Sequence, residues 1–233
     1  MVRLTVAWER GLKRSALPTL SARVAVHIFI AISLLAITIG FLAPKFVPKR
    51  RVLTAFDEVG PGRVKGNLCT NDFFGFSVRF PRGWHTRTRA SLKRFLEHRK
   101  KSDRRNVAVI LAAFKIAHGT RDAETFNPSL VVGADRLSNL QALSGAREFL
   151  LRAVQERESD GLYYGAPNAP YKWGAGKEVF FRVDGKRALQ GKIVNTSHLA
   201  VIKKGYAFSI ALAWESEEDG KVLAEALNTV RFE

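Results

Sequence analysis

Phe74, Phe76, Val78 and Phe80 alternate with Gly75, Ser77 and Arg79. A strand sends successive side chains to opposite faces, so this period of two demands a sheet with one apolar and one polar face. The run is read as a core strand over 73–80. Pro81 has no N–H to offer a ladder and ends the pairing. Gly83 relieves the turn, so that Trp84 can fold back on the sheet. A chain with this stretch must build something large enough to cover the apolar face.

A second feature sits upstream. Residues 24–43, VAVHIFIAISLLAITIGFLA, form a run of 20 residues without a charge. At about 1.5 Å per residue it spans roughly 30 Å, the thickness of the hydrocarbon layer of a bilayer. A buried core helix would carry some polar face, and none interrupts this run. A cleaved signal peptide is the stronger competitor, but the run exceeds a signal core and no A-x-A site follows. The reading is therefore a basic tail at 1–23, a transmembrane anchor at 24–43 and a juxtamembrane linker at 44–66, ahead of an α+β domain at 67–233. Arg3, Arg10, Lys13, Arg14 and Arg23 precede the span; Lys45, Lys49, Arg50 and Arg51 follow it. Charge alone barely orients it. The short tail and large following domain fit a single-pass signal anchor in the cell (cytoplasmic) membrane, with the C-terminal domain extracytoplasmic.

The formal net charge of +17 suggests a nucleic-acid binder until it is located along the chain. Residues 82–105 hold ten lysines and arginines against Glu97 and Asp103. Tail, juxtamembrane region and this segment account for nearly all the excess, which leaves the rest of the domain close to neutral, so nucleic acid is not the expected partner. Within 88–101, Ala90, Leu92, Phe95 and Leu96 make a narrow stripe among cations, the pattern of a short amphipathic helix. Arg87, Arg89, Lys93, Arg94, Arg99, Lys100, Lys101, Arg104 and Arg105 are the candidate residues for an anionic surface, either lipid or polymer. A plain solvated face is the competing reading. One cysteine, Cys69, excludes an intramolecular disulfide framework and is read as a small buried strand residue.

The remaining elements follow from period and punctuation. Asn106–Ala117 is read as a central strand and Ser129–Leu137 as another, with Gly133 a candidate bulge. Ser138–Asp160 is the most helical stretch, with Ser144 read as its N-cap and Gly161 just past the end. Leu162–Gly176 reads as an aromatic loop. Four strands then follow, at 178–183, 187–195, 198–203 and 206–214, joined at Asp184-Gly185, Thr196-Ser197 and Lys204-Gly205. Ser216 caps a final helix with the buried stripe Leu223, Ala226, Leu227 and Val230. The order is α+β with an antiparallel sheet covered by helices.

Phe73–Trp84, the apolar strand at Ala108–Leu111, the strand led by Asn127-Pro128, the helix at 144–158, the Gly205-Tyr206 strand and the closing Leu227–Phe232 together resemble the PsbP-like superfamily. That group includes the photosystem II extrinsic protein PsbP and the Ran-binding Mog family. The resemblance covers roughly 67–233. It implies an α/β/α sandwich and a role in binding or assembly without catalysis. Its members bind different partners, so it carries over no site residues.

No catalytic constellation is legible. His85, His98, His118 and His198 share no H-x-x-x-H or H-E-x-x-H spacing, and no G-x-S-x-G, P-loop or G-x-G-x-x-G motif occurs. Gly174-Ala175-Gly176-Lys177 lacks the first glycine and the hydroxyl residue of a phosphate loop. No enzyme activity, cofactor or metal is expected. Two functions remain: a membrane-anchored accessory protein whose domain contacts an envelope protein or complex, and an electrostatic binder acting through 82–105.

Overall fold

The structure is a computed structural model that describes residues 53–97, 105–117, 125–159, 169–175, 177–189 and 192–233. The expected tail and anchor, and the linker up to residue 52, lie outside these residues, as do Arg99, Lys100, Lys101 and Arg104. No helix among the described residues is long and apolar enough to cross a membrane.

The elements in order are α1 (Ala55–Val59), β1 (Arg63–Lys65), β2 (Leu68–Asn71), β3 (Phe76–Arg79), β4 (His85–Thr86), α2 (Arg89–Glu97), β5 (Val107–Phe114) and β6 (Ser129–Arg136). After them come α3 (Asn139–Ser159), β7 (Tyr171–Ala175), β8 (Glu178–Leu189), β9 (Lys192–Lys203), β10 (Tyr206–Trp214), α4 (Glu217–Leu227) and β11 (Arg231–Phe232). They make two antiparallel sheets, β1-β2-β3-β11 and β4-β5-β6-β10-β9-β8-β7. The fold is α+β with antiparallel sheets and helices, as its sequence order predicts. A second sheet, rather than helices alone, covers the inner face of the seven-stranded sheet.

Phe74, Phe76, Val78 and Phe80 are all buried, as their alternation requires. The strand itself is shorter than expected: Phe73, Phe74 and Gly75 belong to the turn before β3. Gly75 takes φ 62°, and a Cβ there would come within 2.9 Å of the Glu233 carbonyl oxygen. Glycine thus lets the chain's end close on β3, where the Glu233 N–H donates to the Gly75 carbonyl at 2.8 Å. The rings fill the space between the sheets. Phe208 meets Phe74, Phe76 and Phe232 at 5.1, 4.8 and 5.3 Å between centroids. Each such ring contributes about 1.5–3 kcal/mol by leaving water.

Residues 55–65 are not linker. Ala55, Phe56 and Val59 lie in the main core, and Thr54 caps α1 by accepting from the Asp57 N–H. The Tyr206 hydroxyl donates to Glu58 at 2.8 Å, and Arg136 Nε donates to that hydroxyl at 3.1 Å, tying α1 to the large sheet. Burial, foremost, raises the Tyr206 pKa. The Gly62 N–H donates to the Ile110 carbonyl at 2.7 Å. Ile110 is the extra residue of a bulge in β5, opposite Gly133 in β6. The irregularity expected at Gly133 therefore falls on its partner strand.

Two of the three expected joints between residues 178 and 214 are absent. Asp184-Gly185 and Thr196-Ser197 face each other inside one long hairpin, with Asp184 paired to Ser197 and Gly185 to Thr196. Asp184 stays in the strand, where its carboxylate accepts from the Tyr171 hydroxyl on the neighbouring β7 at 2.6 Å and from Arg182 Nε, two residues earlier on β8, at 2.9 Å. Tyr171 belongs to β7, an edge strand where an aromatic loop was expected. Lys204 and Gly205, both at positive φ, do form the tight turn into β10. Ser138, not Ser144, caps α3. The Gln141 N–H approaches Ser138 Oγ at 3.4 Å while Gln141 Oε1 accepts from the Ser138 N–H at 2.9 Å, a reciprocal capping box. Ser144 instead donates to the Leu140 carbonyl, and Gly145, at φ 84°, breaks α3 into two pieces. The final helix is as expected, with Ser216 accepting from the Asp219 N–H and Leu223, Ala226 and Leu227 buried.

Candidate functional site

The candidate functional surface is the outer face of the seven-stranded sheet. Along β10, Tyr206, Phe208, Ile210 and Leu212 point to the core, so Ala207, Ser209, Ala211 and Ala213 point out. Register carries this small-residue face sideways: Ser209 pairs with Gly133 and Ala211 with Val131 in β6. The second piece of α3 packs there through Ala146, Leu150 and Val154 against Val183 and Ala200. Beside that helix runs a groove of about 570 Å³, floored by Val131, Gly133, Ser209 and Ala211 and walled by Phe149 and Ala153. Asp135, Arg152, Glu156 and His198 also line it. A Cβ on Gly133 would lie 3.2 Å from the Ala108 carbonyl oxygen, so glycine keeps the floor low where the strands crowd.

A smaller cleft, of about 320 Å³, opens on the same face at the end of the sheet. Its floor is the last row of outward residues, Phe114, Ser129 and Ala213, which are cross-strand partners. His85 and Arg87 line it from β4 and the residue after it, and Arg187 lines it from β8. The Arg87 guanidinium sits 5.3 Å from the centroid of the Phe114 ring and donates to Ser91 Oγ at 3.1 Å. Asn127 braces the wall by bonding both backbone groups of Ile116, at 2.9 and 2.8 Å.

The expected basic helix exists, and the structure divides its residues. Leu92 and Leu96 are buried, one turn apart, while Ala90, expected in the stripe, is exposed. Arg89, Lys93 and Arg94 lie on the exposed side of α2, and Arg105 is exposed after it. Among the described residues, none of these four takes part in an ion pair. Arg87 is separate from them: half-buried, held by Ser91 and set into the cleft. Sequence reasoning missed Arg187, whose place depends on a hairpin register that the Asp184-Gly185 signal disguised.

No protein-family model matches the chain, and no curated protein matches it. Among the solved structures similar to it are two that differ in source. One is LpqN of Mycobacterium tuberculosis, described as involved in cell envelope biogenesis. It is 12% identical over 66% of this chain and 78% of LpqN, with a TM-score of 0.40. The other is the cyanobacterial PsbP (CyanoP) of Synechocystis sp. PCC 6803. It is 11% identical over 74% of this chain and 96% of that one, with a TM-score of 0.47. The architecture given above rests on this chain's own strand order and register.

Two further titratable groups hold the fold together. Burial pushes the Cys69 thiol up to about 12, which keeps it a neutral core residue. The Lys115 ammonium is raised by its bond to Asp219, at 2.8 Å, which joins the end of β5 to the first turn of α4. Among the described residues, no group of three or more His, Cys, Asp or Glu could hold a metal.

Proposed function

We propose that this chain is a non-catalytic accessory protein with a PsbP-like domain, anchored in the cell membrane by residues 24–43. Its domain lies outside the cytoplasm and binds a protein or complex of the envelope. The observation that carries this reading is the groove between α3 and the floor of Val131, Gly133, Ser209 and Ala211. It is lined by apolar, polar and charged side chains together, a surface for contact more than for chemistry. The test is photo-crosslinking of the full-length protein in cells, with the reactive group at Ala211 and, separately, at Lys93. A recurring protein adduct from Ala211 is expected; lipid adducts alone would overturn the reading. Protease shaving of intact cells tests the side of the membrane, and protection of the domain would reverse it.

A second reading is favoured by Arg89, Lys93, Arg94 and Arg105, four exposed cations without an ion pair among the described residues. Here the basic segment lies on an anionic lipid or polymer, each cation near an anionic leaflet contributing about 1 kcal/mol. Flotation of a fragment starting at Val52, where the compact unit begins, with anionic liposomes separates the two readings. Binding that falls steeply with salt supports the second reading; no binding at low salt removes it.

A further inference from the structure

We infer that the cleft at the end of the seven-stranded sheet is a binding site for a small anion with an aromatic or apolar body, its phosphate or carboxylate recognised by Arg87 and Arg187. This site is separate from the partner groove and stands whether or not that groove binds a protein.

Four observations converge on it. First, among the described residues that line it, the charged or titratable ones are two arginines and His85. Second, the cations come from opposite ends of the sheet. Arg87 follows edge strand β4, while Arg187 lies in β8 two residues after Gly185. Gly185 pairs with Thr196 and Thr196 with Ala213, and side chains two apart share a face, so Arg187 faces the same way as Ala213 on the cleft floor. Third, Arg87 is held in place: Ser91 takes one of its donors and the Phe114 ring lies beside its guanidinium plane. A guanidinium has five N–H donors in a planar fork that matches phosphate or carboxylate oxygens, and fixing it beforehand lowers the ordering cost of binding. Fourth, Phe114 and Phe126 give the cleft an apolar part next to its cations, and about 320 Å³ fits a compact ligand. Arginine pairing with a phosphate or carboxylate is strongest where water is partly excluded, which a recess provides and the open face of α2 does not.

The test uses full-length protein in nanodiscs of zwitterionic lipid, titrated calorimetrically with phenyl phosphate, and with benzyl alcohol as its neutral counterpart. Phenyl phosphate is expected to bind at one site and benzyl alcohol not to bind. Arg87→Gln and Arg187→Gln should each weaken phenyl phosphate about tenfold or more, and Arg87→Lys should lose less because it keeps the charge without the fork. Lys186→Gln removes the same charge one residue from Arg187, on the opposite face of β8, and should change nothing. Repeating the titration in nanodiscs enriched in phosphatidylglycerol identifies the source: a lipid headgroup at the site lowers apparent affinity for phenyl phosphate, and a free ligand leaves it unaltered. Equal binding of benzyl alcohol, or full affinity in both glutamine variants, would overturn the assignment. So would a loss in Lys186→Gln as large as that in Arg187→Gln, because net charge would then explain the binding. Thermal unfolding of each variant checks that the fold persists, and Arg187→Gln decides the matter should Arg87→Gln unfold.

Discussion

The two faces of the seven-stranded sheet are built from the same strands and do opposite things. Inward, Phe208 in the middle of β10 lies against Phe74, Phe76, Phe180 and Phe232. Outward, its neighbours Ala207, Ser209 and Ala211 leave a low floor that α3 covers only in part. Large rings maximise buried area where two sheets meet, and small side chains let a helix come close while leaving room beside it. The lesson is a division of labour: the large rings are concentrated between the sheets, and the outer face, with a smaller cluster under α3, keeps the open surface to which the proposed function assigns recognition.

That division can be broken by substitution. Phe208→Ala should cost about 3–5 kcal/mol, since it opens a cavity among rings that cannot all collapse into it. The check is equilibrium denaturation, and a loss under about 1 kcal/mol would place the main core elsewhere. Gly62→Ala should cost about 1–3 kcal/mol by overpacking. Its Cβ would lie 2.3 Å from Cys69 Sγ and 3.1 Å from the Ile110 carbonyl oxygen, so a neutral result would mean that the chain before β1 is not docked on β5.

A smaller effect tests the inner side by pH. The Cys69 thiol titrates near 9 when exposed and is pushed up to about 12 by burial. Its folded value is raised, so its contribution is complete below pH 9 and is lost as pH rises from about 9 to about 12. At pH 10 the loss should be about 1 kcal/mol. Tyr206 and Lys115 are raised as well, so the measurement is the difference in slope between wild type and Cys69→Ala. Parallel curves would mean that the thiol is reached by water.

On the outer side the effects shrink. Ser138→Ala removes the capping box of α3 and should cost about 1 kcal/mol. Ala211→Leu should cost less than any of these because the groove has room for the side chain, yet it should abolish crosslinking from a neighbouring floor position. A large stability loss from Ala211→Leu would make this face core.

How much of this was legible in the sequence differs by element. Alternation made Phe74 to Phe80 readable, and heptad-like spacing with a serine cap made α4 readable, because in both cases local periodicity and burial agree. The Asp184-Gly185 pair misled for a physical reason: a turn dipeptide bends a chain only when no long-range partner competes. Here Tyr171 on the neighbouring strand and the Thr196-Ser197 segment compete successfully. The candidate site was legible only in its charge. Density of Lys and Arg pointed to 82–105, and nothing local distinguished Arg87 from Arg89 or linked it to a residue a hundred positions later.

By itself the sequence determined which residues must be buried, the type of most elements, the antiparallel α+β order and the local concentration of charge, all of which depend on neighbours a few residues apart. Tertiary structure decided that the first strand belongs to a second sheet, that residues 55–65 belong to the folded domain and bury Ala55, Phe56 and Val59, and that Arg87 and Arg187 share one cleft. Those outcomes depend on strand register over long separations, and register is set by the packing of whole faces, which no single stretch of the chain encodes.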